Sequence, residues 1–126
     1  MAHQVIKTAN APAPIGPYNQ AILAGDTLYI SGQIALDPST GTLLNDSVAT
    51  EATQVMKNLR AVLEAAGMSF KNVVKTTIYL TDMALFNQVN EIYQESFTSN
   101  SPARETVAVV GLPKNVNVEI SMIAVK

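Results

Sequence analysis

Residues 116–125 read Val-Asn-Val-Glu-Ile-Ser-Met-Ile-Ala-Val, and the alternation of their side chains predicts a β-strand. One face of this strand is wholly apolar and carries Val118, Ile120, Met122 and Ala124. The other face is only half apolar and carries Asn117, Glu119, Ser121, Ile123 and Val125. Because successive side chains of a strand point to opposite faces of its sheet, the first face belongs in a core.

The flanking sequence supplies the elements that surround this strand. β-branched and aromatic residues predict strands at 18–24, 27–31, 73–80 and 105–110, after an irregular, proline-rich lead-in at 1–17. Apolar residues at a 3.6-residue period predict helices at 48–66, capped by Asp46 or Ser47, and at 83–97, capped by Asp82. The order β-β-α-β-α-β-β predicts an α+β sandwich in which both helices pack on one face of a mixed sheet. A length of 126 residues fits a single domain, residues 1–126.

The second face of the predicted sheet has no helix to cover it. On the strand at 73–80, the pattern places Val73 and Tyr79 on this face with Lys75 and Thr77, and Val74 on the core face with Ile78 and Leu80. An uncovered, half-apolar sheet face favours association, so we expect a homo-oligomer in which sheets meet.

Composition and charge narrow the functional classes. A formal net charge of −2 with scattered basic residues argues against a nucleic-acid interface, which needs clustered Lys and Arg. The chain has no cysteine, and its one histidine is His3, which excludes disulfides, thiolate nucleophiles and histidine-based metal sites or triads. No secretory signal or membrane-length apolar run is present. We therefore expect a soluble cytoplasmic protein that binds neither nucleic acid nor membrane.

Arg104 is the first candidate functional residue. It lies in the run Ser-Pro-Ala-Arg-Glu-Thr at 101–106, on a proline-rigidified turn that leads into an apolar strand. A guanidinium is a rigid, planar fork of donors that binds a carboxylate with two hydrogen bonds. The alternative is a solvated surface arginine.

Glu119 is the second candidate, because the interior of a strand disfavours glutamate. On a solvated face it has no special role. If that face is buried at a subunit boundary, desolvation raises the pKa of the carboxyl toward the range that is useful for proton transfer. Arg104 opens a neighbouring strand and is expected near Glu119, either in the same chain or across an interface, and the sequence leaves both arrangements open.

Four further residues are candidate ligand contacts, each with a structural alternative. Tyr18 is either a residue at the edge of a cleft or a core aromatic. Ser31 and Gly32 place a hydroxyl and a bare backbone at a strand end, where Gly32 allows close approach of a ligand or marks a bulge. Asn90 lies at the rim of the apolar stripe of the second helix, with a solvated position as its alternative.

At these residues the chain resembles the RidA (YjgF-type) reactive intermediate deaminases over nearly its whole length, from about Asn10 to the C-terminus. The motifs that carry the resemblance are Ile15-Gly16-Pro17-Tyr18, Ser31-Gly32-Gln33-Ile34, Val74-Lys75-Thr76-Thr77, Val89-Asn90, Pro102-Ala103-Arg104, Leu112-Pro113-Lys114 and Val118-Glu119-Ile120. The resemblance implies a chorismate-mutase-like fold and a homotrimer with three clefts between subunits. It also implies hydrolysis of enamine and imine intermediates, such as 2-aminoacrylate and its imine tautomer, to 2-oxo acids and ammonia, with no metal or organic cofactor.

The resemblance also implies roles for the candidate residues. Arg104 would hold the carboxylate of a small imino or oxo acid, and Glu119 would orient or activate the attacking water. The cleft would be lined by Tyr18, Ser31, Gly32 and Asn90, some of which would come from the adjoining subunit.

The chain departs from the family pattern directly after Arg104. Glu105-Thr106 stands where deaminase-type members commonly carry Ser-Cys. If the family uses this position through its backbone N–H, Thr106 supplies the same donor. If side-chain size or polarity sets the pocket, the substrate range or the rate changes. Strand alternation predicts that Glu105 points away from Arg104 and leaves the site intact.

The sequence leaves two other functions open. One is a non-catalytic regulatory trimer whose cleft holds a small carboxylate, because fold does not determine function. The other is RNA cleavage or translation inhibition, also attached to parts of this family. The acidic charge and the scattered lysines disfavour it.

Overall fold

A computed structural model describes residues 3–126 and contains one mixed six-stranded sheet with two α-helices on one of its faces. In chain order the elements are β1 (Gln4–Ile6), β2 (Ala21–Ala24), β3 (Thr27–Gln33), α1 (Val48–Ala65), β4 (Val73–Leu80), α2 (Phe86–Gln94), β5 (Ala103–Ala108) and β6 (Val118–Val125). The strand order is β1-β2-β3-β6-β4-β5, and only β4 and β5 run parallel. None of the helices in the described residues is long and apolar enough to cross a membrane.

Local sequence explains where α1 begins and ends. The side chain of Ser47 accepts a hydrogen bond from the backbone N–H of Thr50 at 3.1 Å, which caps the first turn. At the other end Gly67 has φ of +71°, the left-handed conformation that stops a helix at little steric cost. The predicted helix at 48–66 is therefore confirmed to within one residue.

The second predicted helix is split and shorter than its apolar pattern indicates. Asp82 does act as a cap, accepting from the N–H of Ala84 at 2.8 Å, but it caps a 3₁₀ turn, Met83–Leu85. α2 then ends at Gln94, although Phe97 is still buried against Tyr93, with ring centroids 4.8 Å apart. Phe97 is buried although it lies in a turn beyond the helix, so it continues the apolar period of the helix in the sequence. Such a pattern reports which residues are buried and not which hydrogen bonds they make.

Other strand boundaries also differ from the predicted ones. β1 was not expected within the lead-in, since three residues are too few to show an alternation. β2 begins at Ala21, because the buried side-chain amide of Gln20 donates to the carbonyls of Thr8, Ala11 and Pro12 and keeps the preceding segment irregular. β5 starts at Ala103, two residues earlier than predicted. β6 starts at Val118, two residues later than predicted.

The predicted faces of Val73 and Val74 are interchanged. Val73 is buried and Val74 is 48% exposed. The cause is a register shift between Val73 and Lys75 in the pairing of β4 with β6, which reverses the alternation at the start of β4.

The core lies between the helices and one face of the sheet. Its fully buried members include Leu28, Val55, Leu59, Leu63, Ile78, Leu80, Val118 and Ile120. The opposite face, which we call the open face, carries apolar side chains that are exposed or partly exposed: Val5, Ile22, Tyr29, Tyr79, Val107, Ile123 and Val125. The α+β sandwich with both helices on one side is confirmed.

Candidate active site

Arg104 lies on β5, at the edge of the sheet, with its side chain on the helix side. Its partner in the ladder is Thr76, a buried residue of β4 whose hydroxyl accepts a hydrogen bond from the phenol of Tyr93 in α2. The guanidinium donates from Nη1 to Oδ1 of Asn90 at 2.7 Å. Arg104, Asn90 and Tyr93 line a cavity of about 480 Å³ between α2 and the start of β5.

Three side chains of α2 face this guanidinium. Phe86, Asn90 and Tyr93 follow one another at spacings of four and three residues, so they share one stripe of the helix. The guanidinium carbon lies 5.5 Å from the ring centroid of Phe86 and 5.1 Å from that of Tyr93. Burial raises the pKa of the Tyr93 phenol against the opposing effects of its bond to Thr76 and of the nearby Arg104 charge.

Glu105 and Thr106 point to opposite faces of β5. Glu105 lies on the open face, where it accepts from the hydroxyl of Thr77 and forms an ion pair with Lys75 at 3.1 Å. The hydrogen bond from Thr77 is the main cause that lowers the pKa of the Glu105 carboxyl, and the contact with Lys75 lowers it further. Glu105 therefore does not compete for Arg104, as strand alternation predicts.

Thr106 shares the helix side of β5 with Arg104. Its hydroxyl oxygen is buried and has no hydrogen-bond partner within residues 3–126. Leaving such a group unpaired is costly, so a ligand atom or a bound water at this point would be stabilised.

Glu119 lies on the open face of β6, directly opposite Tyr79 in the ladder. Its side chain is half-buried, and desolvation raises the pKa of its carboxyl above the ordinary glutamate value. It packs over the backbone of Gly32: a Cβ on Gly32 would lie 2.8 Å from Cδ of Glu119 and 3.0 Å from its Cγ. Gly32 is thus the residue type that leaves room for this carboxylate.

Ser31 and Gly32 occupy an irregular part of β3, where the register with β6 shifts between Ile30 and Gln33. The hydroxyl of Ser31 donates to the carbonyl of Asn19 at 2.6 Å, and this ties the strand to the segment that precedes β2. Tyr18, in that segment, is 49% exposed and lines an apolar cavity of about 70 Å³ with Ile15 and Gly32. Tyr18, Ser31, Gly32 and Glu119 therefore gather at one end of the open face.

The candidate residues form two groups that one chain does not bring together. Arg104, Asn90 and Thr106 lie on the helix side of β5, whereas Glu119 lies on the open face of β6. β4 separates the two strands, which places them about 10 Å apart across the sheet. A small ligand held by Arg104 is thus out of reach of Glu119 in the same chain.

Sequence reasoning missed several residues that shape these groups. Phe86 and Tyr93 belong to the apolar pattern that predicts the second helix, and their spacing with Asn90 marks one stripe of it. Gln20 and Glu51 were not singled out. No group of three His, Asp or Glu side chains that could hold a metal ion occurs in residues 3–126.

Comparison with known proteins identifies relatives across the length of the chain. A family model described as Endoribonuclease L-PSP matches residues 8–126. The chain is 52% identical over 126 residues to 2-iminobutanoate/2-iminopropanoate deaminase of Homo sapiens, covering 100% of this chain and 92% of that protein.

Solved structures of similar proteins superpose closely on this one. RidA from the Antarctic bacterium Psychrobacter sp. PAMC 21119 is 42% identical with a TM-score of 0.94, over 98% of this chain and 99% of that chain. TdcF from E. coli, solved with bound serine, is 37% identical with a TM-score of 0.94, over 98% of each chain. These structures share the α+β fold expected from the sequence.

Proposed function

The chain belongs to the Endoribonuclease L-PSP (YjgF/RidA) family, and from this membership we propose that it is a hydrolase of reactive enamines and imines. Its substrates are of the 2-aminoacrylate/2-iminopropanoate type, and its products are 2-oxo acids and ammonia. Relatives named 2-iminobutanoate/2-iminopropanoate deaminase, at 52% identity in human and rat, support this class of reaction.

The proposed enzyme is a homotrimer with its active sites in the clefts between subunits. Each cleft combines the Arg104 group of one subunit with the Glu119 group of its neighbour. The separation of these groups within one chain supports a shared site, as do the exposed apolar residues of the open face, where Tyr29 is 50% exposed and Val107 is 40% exposed.

Arg104 holds the substrate carboxylate in the proposed complex. One of its five N–H donors is used by Asn90, and the others are free for a bidentate bond. In this proposal Thr106 adds its backbone N–H, and the cleft is closed by Tyr18, Ser31 and Gly32 of the neighbouring subunit. Fixing the carboxylate also fixes the position of the imine carbon, two bonds away from its oxygens.

Glu119 is the proposed base and acid. The oxygen of a water adds to the carbon of the protonated imine, the C=N electron pair passes to nitrogen, and one water proton passes to the Glu119 carboxylate. Glu119 then returns this proton to the amino nitrogen of the carbinolamine. The C–N bond breaks with its electron pair on nitrogen, ammonia leaves, and the hydroxyl gives its proton back to the Glu119 carboxylate as the 2-oxo group forms. An imine carbon is already electrophilic, so no nucleophilic side chain is required.

The observation that carries this mechanism is the half-buried carboxylate of Glu119 packed on the bare backbone of Gly32. Burial raises the pKa of Glu119, which brings it closer to the operating pH and makes the carboxylate a better proton acceptor. A solvated glutamate on a sheet face has neither property.

An ammonia-release assay tests the proposal. An amino-acid oxidase or a dehydratase generates the imine in the cuvette, and ammonia or 2-oxo acid formation is followed with and without the protein. We expect acceleration by the wild-type trimer and none by Arg104→Ala, with Arg60→Ala as the matched control, since Arg60 is also an exposed arginine stacked on an aromatic ring.

The alternative function is a non-catalytic trimer that binds small carboxylates. The bound serine in the E. coli TdcF structure favours a small carboxylate as the ligand of that protein. Saturable binding of a 2-oxo acid without acceleration of ammonia release would establish the alternative and exclude the deaminase.

A further inference from the structure

Arg104 is a long side chain on an edge strand, and its guanidinium lies close to two aromatic rings. The rings of Phe86 and Tyr93 both lie within cation–π distance of the guanidinium carbon, at 5.5 and 5.1 Å. Asn90, between them on the same helical stripe, accepts the hydrogen bond from Nη1. Three contacts from one helix thus hold one exposed cation.

We propose that Phe86 and Tyr93 are positioning residues for substrate binding, forming an aromatic cradle that orients the guanidinium of Arg104 before the carboxylate arrives. This inference rests on the proposed function, in which Arg104 grips the carboxylate. It adds the residues that determine the affinity of Arg104 for this carboxylate.

The chemistry of a guanidinium explains why aromatic rings suit this purpose. Its N–H donors lie in the plane of the group, and the cation–π attraction of a ring occupies none of them. The two rings therefore restrict the position of the guanidinium without using a donor. Since Asn90 takes a single hydrogen bond, the remaining in-plane donors stay available for both oxygens of a carboxylate.

The cradle is itself anchored in the core. Tyr93 is only 5% exposed, and its hydroxyl donates at 2.9 Å to the hydroxyl of Thr76, the residue that pairs with Arg104 in the sheet. Its ring packs on Phe97, which packs in turn on Phe70 at a centroid distance of 5.4 Å. One wall of the cradle is thus tied to the same strand pair that carries Arg104.

Preorganisation of this kind acts on affinity. A free arginine on an edge strand samples many rotamers, and a ligand that selects one of them loses binding free energy. The cradle restricts these rotamers in advance. It stabilises the substrate complex and the transition state equally, so its loss raises KM and leaves kcat in place.

The test replaces Phe86, the ring of the cradle that packs against the core but is less buried than Tyr93. We expect Phe86→Leu to raise KM for the imine, and Kd for 2-oxobutanoate by calorimetry, by the same factor of about threefold to tenfold, with kcat within about twofold. Phe86→Tyr keeps the ring and is expected to restore both values. Should Phe86→Leu not assemble, Phe86→Met is the substitute, with the same expected rise.

Ile92→Ala is the matched control. Ile92 is a partly buried residue of the same helix that packs on the core, but it lies outside the Phe86-Asn90-Tyr93 stripe and makes none of the contacts with Arg104 given above. We expect this variant to lower the melting temperature comparably and to leave KM and Kd unchanged. Equal KM values for Phe86→Leu and Ile92→Ala would overturn the cradle, as would a fall in kcat at constant KM.

One further variant separates this inference from the function on which it rests. If Arg104→Lys binds 2-oxobutanoate as tightly as wild type, Arg104 does not hold the carboxylate, and the proposed function fails together with the cradle. If Arg104→Lys loses binding while Phe86→Leu retains it, the cradle alone fails.

Discussion

The carboxylate of Glu119 occupies the space in which a side chain on Gly32 would begin. A Cβ at position 32 would stand 2.8 Å from Cδ of Glu119, closer than real Cβ atoms approach a neighbour. Both residues belong to adjacent strands, β3 and β6, so the contact is set by the register of the sheet. The placement of the proposed base, Glu119, therefore depends on a residue without a Cβ at position 32.

We expect Gly32→Ala to displace the Glu119 carboxylate and to lower kcat by about 10²-fold, the usual contribution of one general base. Gly111→Ala is the control, because a Cβ at that position would meet nothing within 4 Å. Steady-state kinetics on both variants check the expectation. A Gly32→Ala enzyme with wild-type kcat would show that the position of this carboxylate is unimportant.

Glu119→Gln keeps the size of the side chain and removes its ability to accept a proton. We expect kcat to fall by about 10²-fold to 10³-fold, while the affinity for 2-oxobutanoate changes little. For the wild type, kcat should decline as the pH falls through the raised pKa of Glu119, above the range in which a free glutamate titrates. A loss confined to KM would contradict the assigned role.

The same substitution should stabilise the fold, and only at neutral pH. Burial raises the pKa of Glu119, so the folded state binds its proton more tightly than the unfolded state, and ionisation costs stability. That cost is absent below the pKa of the unfolded chain and appears as the pH rises through the folded pKa. The melting temperature should therefore be higher for Glu119→Gln than for wild type at about pH 7, and the two should converge at about pH 3.5. A stability difference that persists in acid would have another origin.

A shared site predicts complementation between two inactive variants. Arg104→Ala and Glu119→Gln subunits, mixed in equal amounts and exchanged at random, should rebuild about a quarter of the clefts with both native residues. The ammonia-release rate should rise to about a quarter of that of wild type. Subunit exchange is verified by mass spectrometry of the mixed oligomers. Verified exchange without recovered activity would place both residues in a site within one chain.

Glu51 should be among the polar residues on which stability depends most. It is fully buried in α1, and its carboxylate accepts from the backbone N–H groups of Asn117 and Val118 at 2.8 and 2.9 Å. Glu51→Ala leaves these donors unpaired, and we expect a loss of about 3 kcal/mol in the free energy of unfolding, measured by urea denaturation. Glu64→Ala, an exposed glutamate on the same helix, should cost less than about 0.5 kcal/mol. Equal effects of the two would mean that the buried bonds contribute nothing net.

Local patterns were sufficient for most of the elements and for the class of fold. Period-two alternation located β4 and β6, and the cap at Ser47 with the stop at Gly67 bounded α1. Both signals are local, because caps and alternation depend on residues that are near in the chain. The short β1 and the register shift at Val73 escaped prediction, since each depends on pairing with a distant segment. The 3₁₀ turn before α2 escaped because a pattern of apolar residues does not show which hydrogen bonds the backbone makes.

The sequence by itself determined which residues are candidates for chemistry. Arg104 stood out as a guanidinium on the turn that leads into a strand, and Glu119 stood out as a carboxylate in the interior of a strand, where glutamate is disfavoured. Only the tertiary structure decided that the two lie on opposite faces of the sheet. β5 is an edge strand with exposed residues on both sides, so its pattern carries no burial signal to tell one face from the other. The pairing of Arg104 with Thr76 and of Glu119 with Tyr79 settles the faces, and these pairs join residues 28 and 40 positions apart in the chain.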